Sequence, residues 1–503
     1  MEAIVADSKV IPNASQTAST EPHLPIKPQC DSKPIVLDGA SLDCKTLLLA
    51  GADRATVEIS SDSLKNVIIG RALVEKIAKG DAPAYGITTG VGSQKDFAIA
   101  LGGMADYNRR LARAHSINAG GASLPEHRVR SALVVLVNQF ASGLSGVSAP
   151  LVNLILDQIN HSEMPEISSH GTVSASDLIP MAQIAVWLQS LPEAEAHQIP
   201  GPKETLSLIN NNAITLAAGA DVLIDARAVL KLANLSLALS LEASRANLKS
   251  ISQDLRDLLK DSELWNDGVA RRIQDPLSFR CGSQVHGALE EMLDRAETVW
   301  NDELNTVTDN PIIDTNFECA RSHGNMDTTL MTLAIDGVRQ AFAKAADLAG
   351  ERIHKQQWKE FSGLPTGFSD HNSPLGGVQF LNLGHLASSF ITSTKIWAAP
   401  SLLLSVGQVA DGVEDTASYA FHAVCDLERI LDATRLALTI EIIISVWAIK
   451  RRDLSVDTLG IGVRACVDIV LPMLSIGSEG YQVFSIEPVV CALRRHLTDT
   501  NAS

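Results

Sequence analysis

Five long segments of the chain carry apolar residues at spacings of three and four, the period of one face of an α-helix. The segments are Arg128 to Ile159, Leu216 to Leu248, Val285 to Leu304, Thr328 to His354 and Ala417 to Ile449. Several exceed the usual length of a globular helix, and the small Ala, Ser and Gly residues between the apolar ones allow close packing. The pattern therefore predicts a mainly α-helical fold with a long central helical bundle.

Composition divides the rest of the chain. Residues 1–34 mix Ser, Thr, Pro and Lys without apolar periodicity and are predicted to be a disordered leader. Residues 35–200 predict a smaller, loop-rich N-terminal domain, because the glycines and threonines after Tyr85 do not suit a helix. Residues 201–470 would be the long-helix bundle, and residues 471–503 a C-terminal helical segment.

Charge and cysteine usage narrow the class of protein. A net charge of −17 argues against a nucleic-acid partner or an anionic membrane surface, since both select clustered Lys and Arg. The strongest apolar run, Leu436 to Ile449, contains Glu441 and falls short of the roughly 20 residues that cross a bilayer. Seven scattered cysteines without a CxxC pair disfavour a disulfide framework and a zinc site. We therefore expect a cytoplasmic protein without a metal.

The most informative stretch is GTVSASDLIPMAQIA, residues 171–185, in which small residues precede an apolar helix. Taken alone it predicts a helix N-terminus, because Ser and Asp cap free N–H groups and Pro suits the first turn. The stretch also resembles the segment of the histidine, phenylalanine and tyrosine ammonia-lyases in which Ala-Ser-Gly cyclises into a methylidene-imidazolone (MIO) electrophile. Ala175 and Ser176 match the first two positions, and Asp177 stands where the family has Gly and then Asp.

The chemistry of that ring explains the residue types. The amide nitrogen of the third residue attacks the carbonyl of the first, which requires a tight bend that glycine tolerates best. Loss of water from the serine then leaves the methylidene group. The resemblance implies that Ala175, Ser176 and Asp177 are the source of MIO, with no external cofactor. Either Asp177 supplies the nitrogen in place of Gly, or a codon has been lost, or the electrophile never forms.

Two further blocks resemble catalytic motifs of the same family. YGITTGVGSQKD begins at Tyr85 and is similar to the mobile loop whose tyrosine removes the β-proton of the substrate. SLINNNAITL places Asn210 where the family contacts the amino and carboxylate end of the substrate, although Asn211 and Asn212 replace Gly and Thr. Without the resemblance these blocks would indicate a glycine turn and a polar loop.

Substrate-binding residues follow from two more blocks. In RIQDPLSFRCGSQVHG, Arg280 stands where the family's Arg binds the substrate carboxylate in a bidentate manner, and Gln284 also matches. Leu277 replaces a family Tyr. HGNMDTTLMTLAID keeps Asn325, while Met326 and its neighbours replace Phe-His. Alone, Arg280 would be an ordinary cation on a helix surface. NDELNTVTDNPIID, residues 301–314, is the cleanest match to the family and should end a helix at a subunit contact.

The identity of the substrate is predicted from a pair of neighbouring residues and one carboxylate side chain. Ala114 and His115 fall where the family sets specificity, and VADGVEDTAS places Glu414 on a Glu of the histidine lyases. A His and a carboxylate can bond both nitrogens of an imidazole, which favours histidine. Leu277, Met326 and Val413 make the site more apolar, and phenylalanine is therefore the second candidate.

The matching blocks occur in family order from about residue 35 to 470. The resemblance implies the aromatic lyase fold, a homotetramer and active sites shared between three subunits. It also implies non-oxidative deamination of a small aromatic L-amino acid to the α,β-unsaturated acid and ammonia. A 2,3-aminomutase and a catalytically silent relative that serves binding or assembly are the alternatives.

Overall fold

The computed structural model describes residues 33–248, 252–369, 377–404, 412–474 and 484–499. Most of the predicted leader lies outside the described residues, as do residues 475–483 and 500–503 of the predicted C-terminal segment. The predicted division into domains stays a prediction.

Short helices precede the long ones, and the described residues also form two small strand pairs. The strands are β1 (Ile35–Leu37) and β2 (Val57–Ile59), which pair parallel, and β3 (Ile312–Asp314) and β4 (Cys319–Arg321), which pair antiparallel. The helices are α1 (Cys44–Gly51), α2 (Ser61–Ala78), α3 (Met104–His115), α4 (Glu126–Phe140), α5 (Ala149–His161), α6 (Leu178–Gln189), α7 (Pro192–Ala196) and α8 (Glu204–Ile209).

The prediction of a single helix from Arg128 to Ile159 is wrong. Two helices, α4 and α5, occupy this segment, because Gly143 and Gly146 take left-handed φ values of 79° and 65° between them. A side chain at Gly143 would also collide with the backbone of α2. Ser148 then accepts a hydrogen bond from the Leu151 N–H and caps α5.

From residue 213 onward the chain holds the long helices. The apolar spacing predicts four of them, which are α9 (Ala213–Ser244), α12 (Gly282–Leu304), α13 (Thr329–Gln357) and α16 (Ala420–Arg451). A fifth, α15 (Val378–Trp397), was not among the predicted segments. Shorter helices connect or flank them: α10 (Gln253–Leu258), α11 (Leu277–Arg280), α14 (Lys359–Ser362), α17 (Ile461–Val470) and α18 (Glu487–Asp499). The mainly α-helical bundle is therefore confirmed. Among the described helices, none combines the length and apolar composition needed to cross a membrane.

Helices α9, α13 and α16 run in the same direction. Ser236 and Ser240 of α9 bond to Glu441 and Ser445 of α16 in matching order. Gln356, near the end of α13, bonds to both Ser240 and Ser445. The three N-termini consequently lie at one end of the bundle. Helix α12 is antiparallel to α9, since His286 near the start of α12 contacts Asn234 late in α9, and Glu297 further along α12 contacts Arg227 earlier in α9.

The buried Glu441 is explained by an ion pair inside this bundle. Its side chain and that of Arg352 are both fully buried, with 3.0 Å between Arg352 Nη2 and Glu441 Oε2. Ser236 and Ser240 donate two further hydrogen bonds to the carboxylate. Every charged atom of the glutamate is therefore satisfied, which is the condition for burying a charge.

We expect Arg352→Met to lower the free energy of unfolding by about 3–5 kcal/mol, because it leaves Glu441 buried without its counter-charge. Chemical denaturation followed by circular dichroism measures the change. The double variant Arg352→Met/Glu441→Leu removes both charges and should regain most of the loss. A single variant as stable as the wild type would contradict this account of the core.

Candidate active site

The loop of residues 172–177 lies at the N-termini of the three parallel helices. The Thr215 N–H of α9 donates to Asp177 Oδ2 at 2.8 Å, and the Phe421 N–H of α16 donates to Ser174 Oγ at 2.9 Å. Thr328, which precedes α13, donates from its hydroxyl to the Ser174 carbonyl at 3.1 Å. Each helix N-terminus carries about half a positive charge. The loop therefore sits in a positive field, which favours negative charge on whatever binds or reacts there.

The backbone of this loop is sharply bent at two residues that are not glycine. Ser174 has φ 64° and Ser176 has φ 80°. Such conformations cost roughly 1–3 kcal/mol each and cluster at functional sites. Ser176 is only 1% exposed, and its hydroxyl donates to Asn210 Oδ1 at 2.5 Å. Asn210 in turn donates from its Nδ2 to the Asn310 carbonyl at 3.3 Å.

Asp177 is held at both its backbone and its side chain. Its N–H donates to the Asn211 carbonyl at 2.7 Å. Its carboxylate accepts from the hydroxyls of Thr172 and Thr215 at 2.6 Å and 2.7 Å, in addition to the Thr215 N–H. Burial raises the pKa of this carboxyl, and the hydrogen bonds oppose that rise. The residue immediately precedes α6 and fixes the end of the loop.

The loop fits the MIO group that the sequence resemblance implies. Ring closure needs the Ala175 carbonyl and the Asp177 nitrogen to approach each other, and a left-handed φ at Ser176 bends the chain between them. The hydroxyl that must leave is on Ser176. The ring nitrogen carries no hydrogen, so closure would end the bond that Asp177 N–H now makes to the Asn211 carbonyl.

His115 and Glu414 lie close enough for their charges to interact. His115 is the last residue of α3, and its ring nitrogen Nδ1 lies 3.0 Å from the Leu111 carbonyl oxygen. Burial raises the pKa of the Glu414 carboxyl, and the nearby His115 opposes that rise. Helix α3 packs on α6 and α8, the helices that follow the loop and precede Asn210. Ala114, beside His115, is exposed.

The loop that carries Tyr85 packs on α8, the helix that precedes Asn210. The next residue, Gly86, packs so closely on Leu206 of α8 that an added Cβ would come within 2.2 Å of Leu206 Cδ2. The Tyr85 hydroxyl accepts a hydrogen bond from the Gly92 N–H at 3.0 Å. The loop is thus placed against the helix that ends at Asn210, and the tyrosine hydroxyl is bonded within its own loop.

Asn325 is connected to Asn210 through a short chain of hydrogen bonds. The Asn325 N–H donates to His323 Nδ1 at 3.0 Å, and the His323 N–H donates to Asn310 Oδ1 at 2.9 Å. Asn310 also accepts from Asn210. The adjacent Asp327 pairs with Ala175 in an isolated β-bridge. The segment after Asn325 therefore lines the loop that carries Ser176.

Arg280 and Gln284 lie at the opposite end of the bundle. Gly282, which opens α12, packs against Leu237, 24 residues beyond the start of α9 at Ala213. At 1.5 Å per residue this is roughly 35 Å from the Ser176 end. One chain therefore does not bring Arg280 to Ser176. Gln284 is exposed there, as is Leu277.

Thr172 and Thr215 are site residues that sequence reasoning missed. Both contact Asp177 through their hydroxyls. Thr172 and Thr215 stand in the two blocks GTVSASDLIPMAQIA and SLINNNAITL, where the family resemblance gave neither of them a role. A search for hydroxyl residues just inside a helix N-terminus could have found Thr215.

The sequence of this chain is similar to those of known enzymes. The model of the aromatic amino acid lyase family matches residues 42–470. Histidine ammonia-lyase from Myxococcus xanthus is 30% identical over 453 residues, covering 83% of this chain and 88% of that protein. The enzyme of the same name from Deinococcus radiodurans is 28% identical, covering 82% and 84%.

Solved structures show the same fold at lower identity. The ergothioneine-degrading enzyme ergothionase from Treponema denticola superposes with a TM-score of 0.83 at 23% identity, covering 93% of this chain and 99% of that one. Tyrosine aminomutase from Streptomyces globisporus superposes with a TM-score of 0.81 at 22% identity, covering 93% and 98%.

Proposed function

The chain belongs to the aromatic amino acid lyase family, and from that premise we propose that it removes ammonia from L-histidine to give urocanate. It is a carbon–nitrogen lyase of aromatic amino acids, and histidine is the finer proposal. The observation that carries the proposal is the bent, buried Ser176 at the N-termini of three parallel helices. The identity of the curated relatives supports histidine.

The chain's own residues have distinct roles in this proposal. Tyr85 takes the β-proton of the substrate at its hydroxyl, once its loop releases the bond from the Gly92 N–H. Asn210 and Asn325 hold the polar end of the amino acid, with Gln284 beside them from another subunit. When formed from residues 175–177, MIO supplies the electrophile that turns the amino group into a better leaving group.

The carboxylate of the substrate is bound by Arg280 of a neighbouring subunit in this proposal. Arg280 lies roughly 35 Å from Ser176 within one chain, as judged from the helix rise, so only a second copy can supply it. Exposed apolar side chains flank it, with Ile273 93% and Leu277 62% exposed. Contiguous exposed apolar surface marks an interface. This supports a homotetramer with shared active sites.

Specificity for imidazole is assigned to His115 and Glu414. We expect Glu414→Gln to lower kcat/KM for histidine by about 10- to 100-fold, because it removes a charge-assisted hydrogen bond to a ring nitrogen. Steady-state kinetics with histidine and phenylalanine measures the change. Phenylalanine is the internal control, since its ring has no donor to lose. An equal loss for both substrates would contradict the assignment.

A product assay tests the proposed reaction. The purified protein is incubated with histidine, phenylalanine and tyrosine, and the absorbance of urocanate, cinnamate and coumarate is followed. Urocanate formation is expected. A β-amino acid product would instead favour an aminomutase, an activity that a structural relative carries. No product from any substrate, with folding intact by circular dichroism, would contradict the proposal and favour a catalytically silent protein.

A further inference from the structure

Asp177 stands alone where the resembling motif has two residues, a glycine that gives the ring nitrogen and an aspartate that follows it. In this chain one residue must therefore present its backbone nitrogen to the Ala175 carbonyl and also carry the buried carboxylate. Its side chain is completely buried, so the orientation of its backbone depends on what holds that carboxylate.

Thr172 and Thr215 both form hydrogen bonds to the Asp177 carboxylate. Thr172 belongs to the loop itself: its hydroxyl donates to Asp177 Oδ1 at 2.6 Å and accepts the Ser174 N–H at 3.1 Å. It thereby closes the loop across its base. Thr215 lies in the first turn of α9 and donates its hydroxyl to Oδ1 and its N–H to Oδ2. The loop is thus tied to the central bundle.

The strained backbone of the loop explains why the Asp177 carboxylate needs these hydrogen bonds. Left-handed backbone at the two serines persists only where the surroundings impose it. Glycine would reach the bend without such support. Asp177 itself has φ −88° and ψ 50°, so the left-handed bend falls on the serines before it. Fixing the Asp177 side chain holds the end of that bend and lowers the entropy cost of the reactive geometry.

We propose that Thr172 and Thr215 are positioning residues that hold Asp177 by its carboxylate, so that its backbone nitrogen is presented for ring closure in a chain without the motif glycine. This inference rests on the proposed function. A bond forms between Asp177 N and the Ala175 carbonyl carbon. The carbonyl oxygen leaves as water with the amide hydrogens of Ser176 and Asp177, and the Ser176 hydroxyl leaves as water with its α-hydrogen.

The test is the mass of the peptide that contains residues 172–177, measured after digestion of freshly purified full-length variants. In Thr215→Val and in Thr172→Val, the fraction of peptide lacking two waters should fall by about tenfold or more, the effect of losing one charge-assisted hydrogen bond. Thr215→Ser keeps the hydroxyl and should restore the wild-type fraction.

Thr434→Val is the matched control, because Thr434 is equally buried in α16 and its hydroxyl has no hydrogen-bond partner among the described residues. It should cyclise as the wild type does. Full loss of two waters in both Thr172→Val and Thr215→Val would overturn the positioning role and leave the proposed function standing. An unshifted wild-type peptide would overturn the ring and, with it, this role. Two variants are used so that misfolding of one still leaves a decisive result.

Discussion

Ser176→Ala is expected to lower kcat for ammonia release by about a thousandfold or more, a loss typical of removing one member of a catalytic unit. Alanine has no hydroxyl to lose, so the methylidene carbon cannot form. It also removes the donor that now bonds to Asn210 Oδ1. Stopped assays of urocanate at saturating histidine measure the rate.

Ser244→Ala is the control for that substitution. Ser244 is buried near the end of α9, and its hydroxyl has no hydrogen-bond partner among the residues that the structure describes. The control should keep wild-type activity. A Ser176→Ala enzyme that keeps more than a tenth of the wild-type rate would show that elimination does not depend on this serine.

Arg280→Met is expected to lower kcat/KM by about 30-fold or more, because truncating one partner of a buried charge pair costs roughly 2–5 kcal/mol. The substrate carboxylate would lose its bidentate partner, and the effect should appear mainly in KM. Arg280→Lys keeps the charge without the planar fork and should recover only part of the loss. An unchanged KM in Arg280→Met would exclude this arginine from the site.

The position of Arg280 allows a second, sharper experiment. If a neighbouring subunit supplies it, Ser176→Ala and Arg280→Met chains damage different halves of a shared site. Unfolding and refolding the two impaired variants together should restore part of the activity at low histidine, since some sites then combine an intact Ser176 with an intact Arg280. Refolding each variant alone is the control. No recovery in refolded mixed oligomers would contradict a shared site.

The sequence predicts the long helices well because their period is local. The starts of α9, α12, α13 and α16 lie within three residues of the predicted segments. The break between α4 and α5 was missed because it depends on two glycines whose left-handed φ is needed only against the backbone of α2. Apolar spacing continues across that break, so it does not indicate the contact between these glycines and α2.

The site was predictable only in part. Family motifs predict Ser176, Asn210, His115 and Glu414 as site residues, and the structure places the first two in direct contact. The separation of Arg280 from Ser176 depends on α12 running antiparallel to α9, which spacing along one chain does not encode. The hydrogen bonds to Asp177 come from two segments of the chain, and no periodic pattern in the sequence predicts that these segments meet.

The intact mass of the purified wild-type protein tests the central claim most directly. The bend at Ser176 predicts a chain lighter by two waters than its 503 residues require. A mass equal to that of the unmodified sequence, in protein that is folded by circular dichroism, would contradict the claim, because the proposed deamination would then have no electrophile.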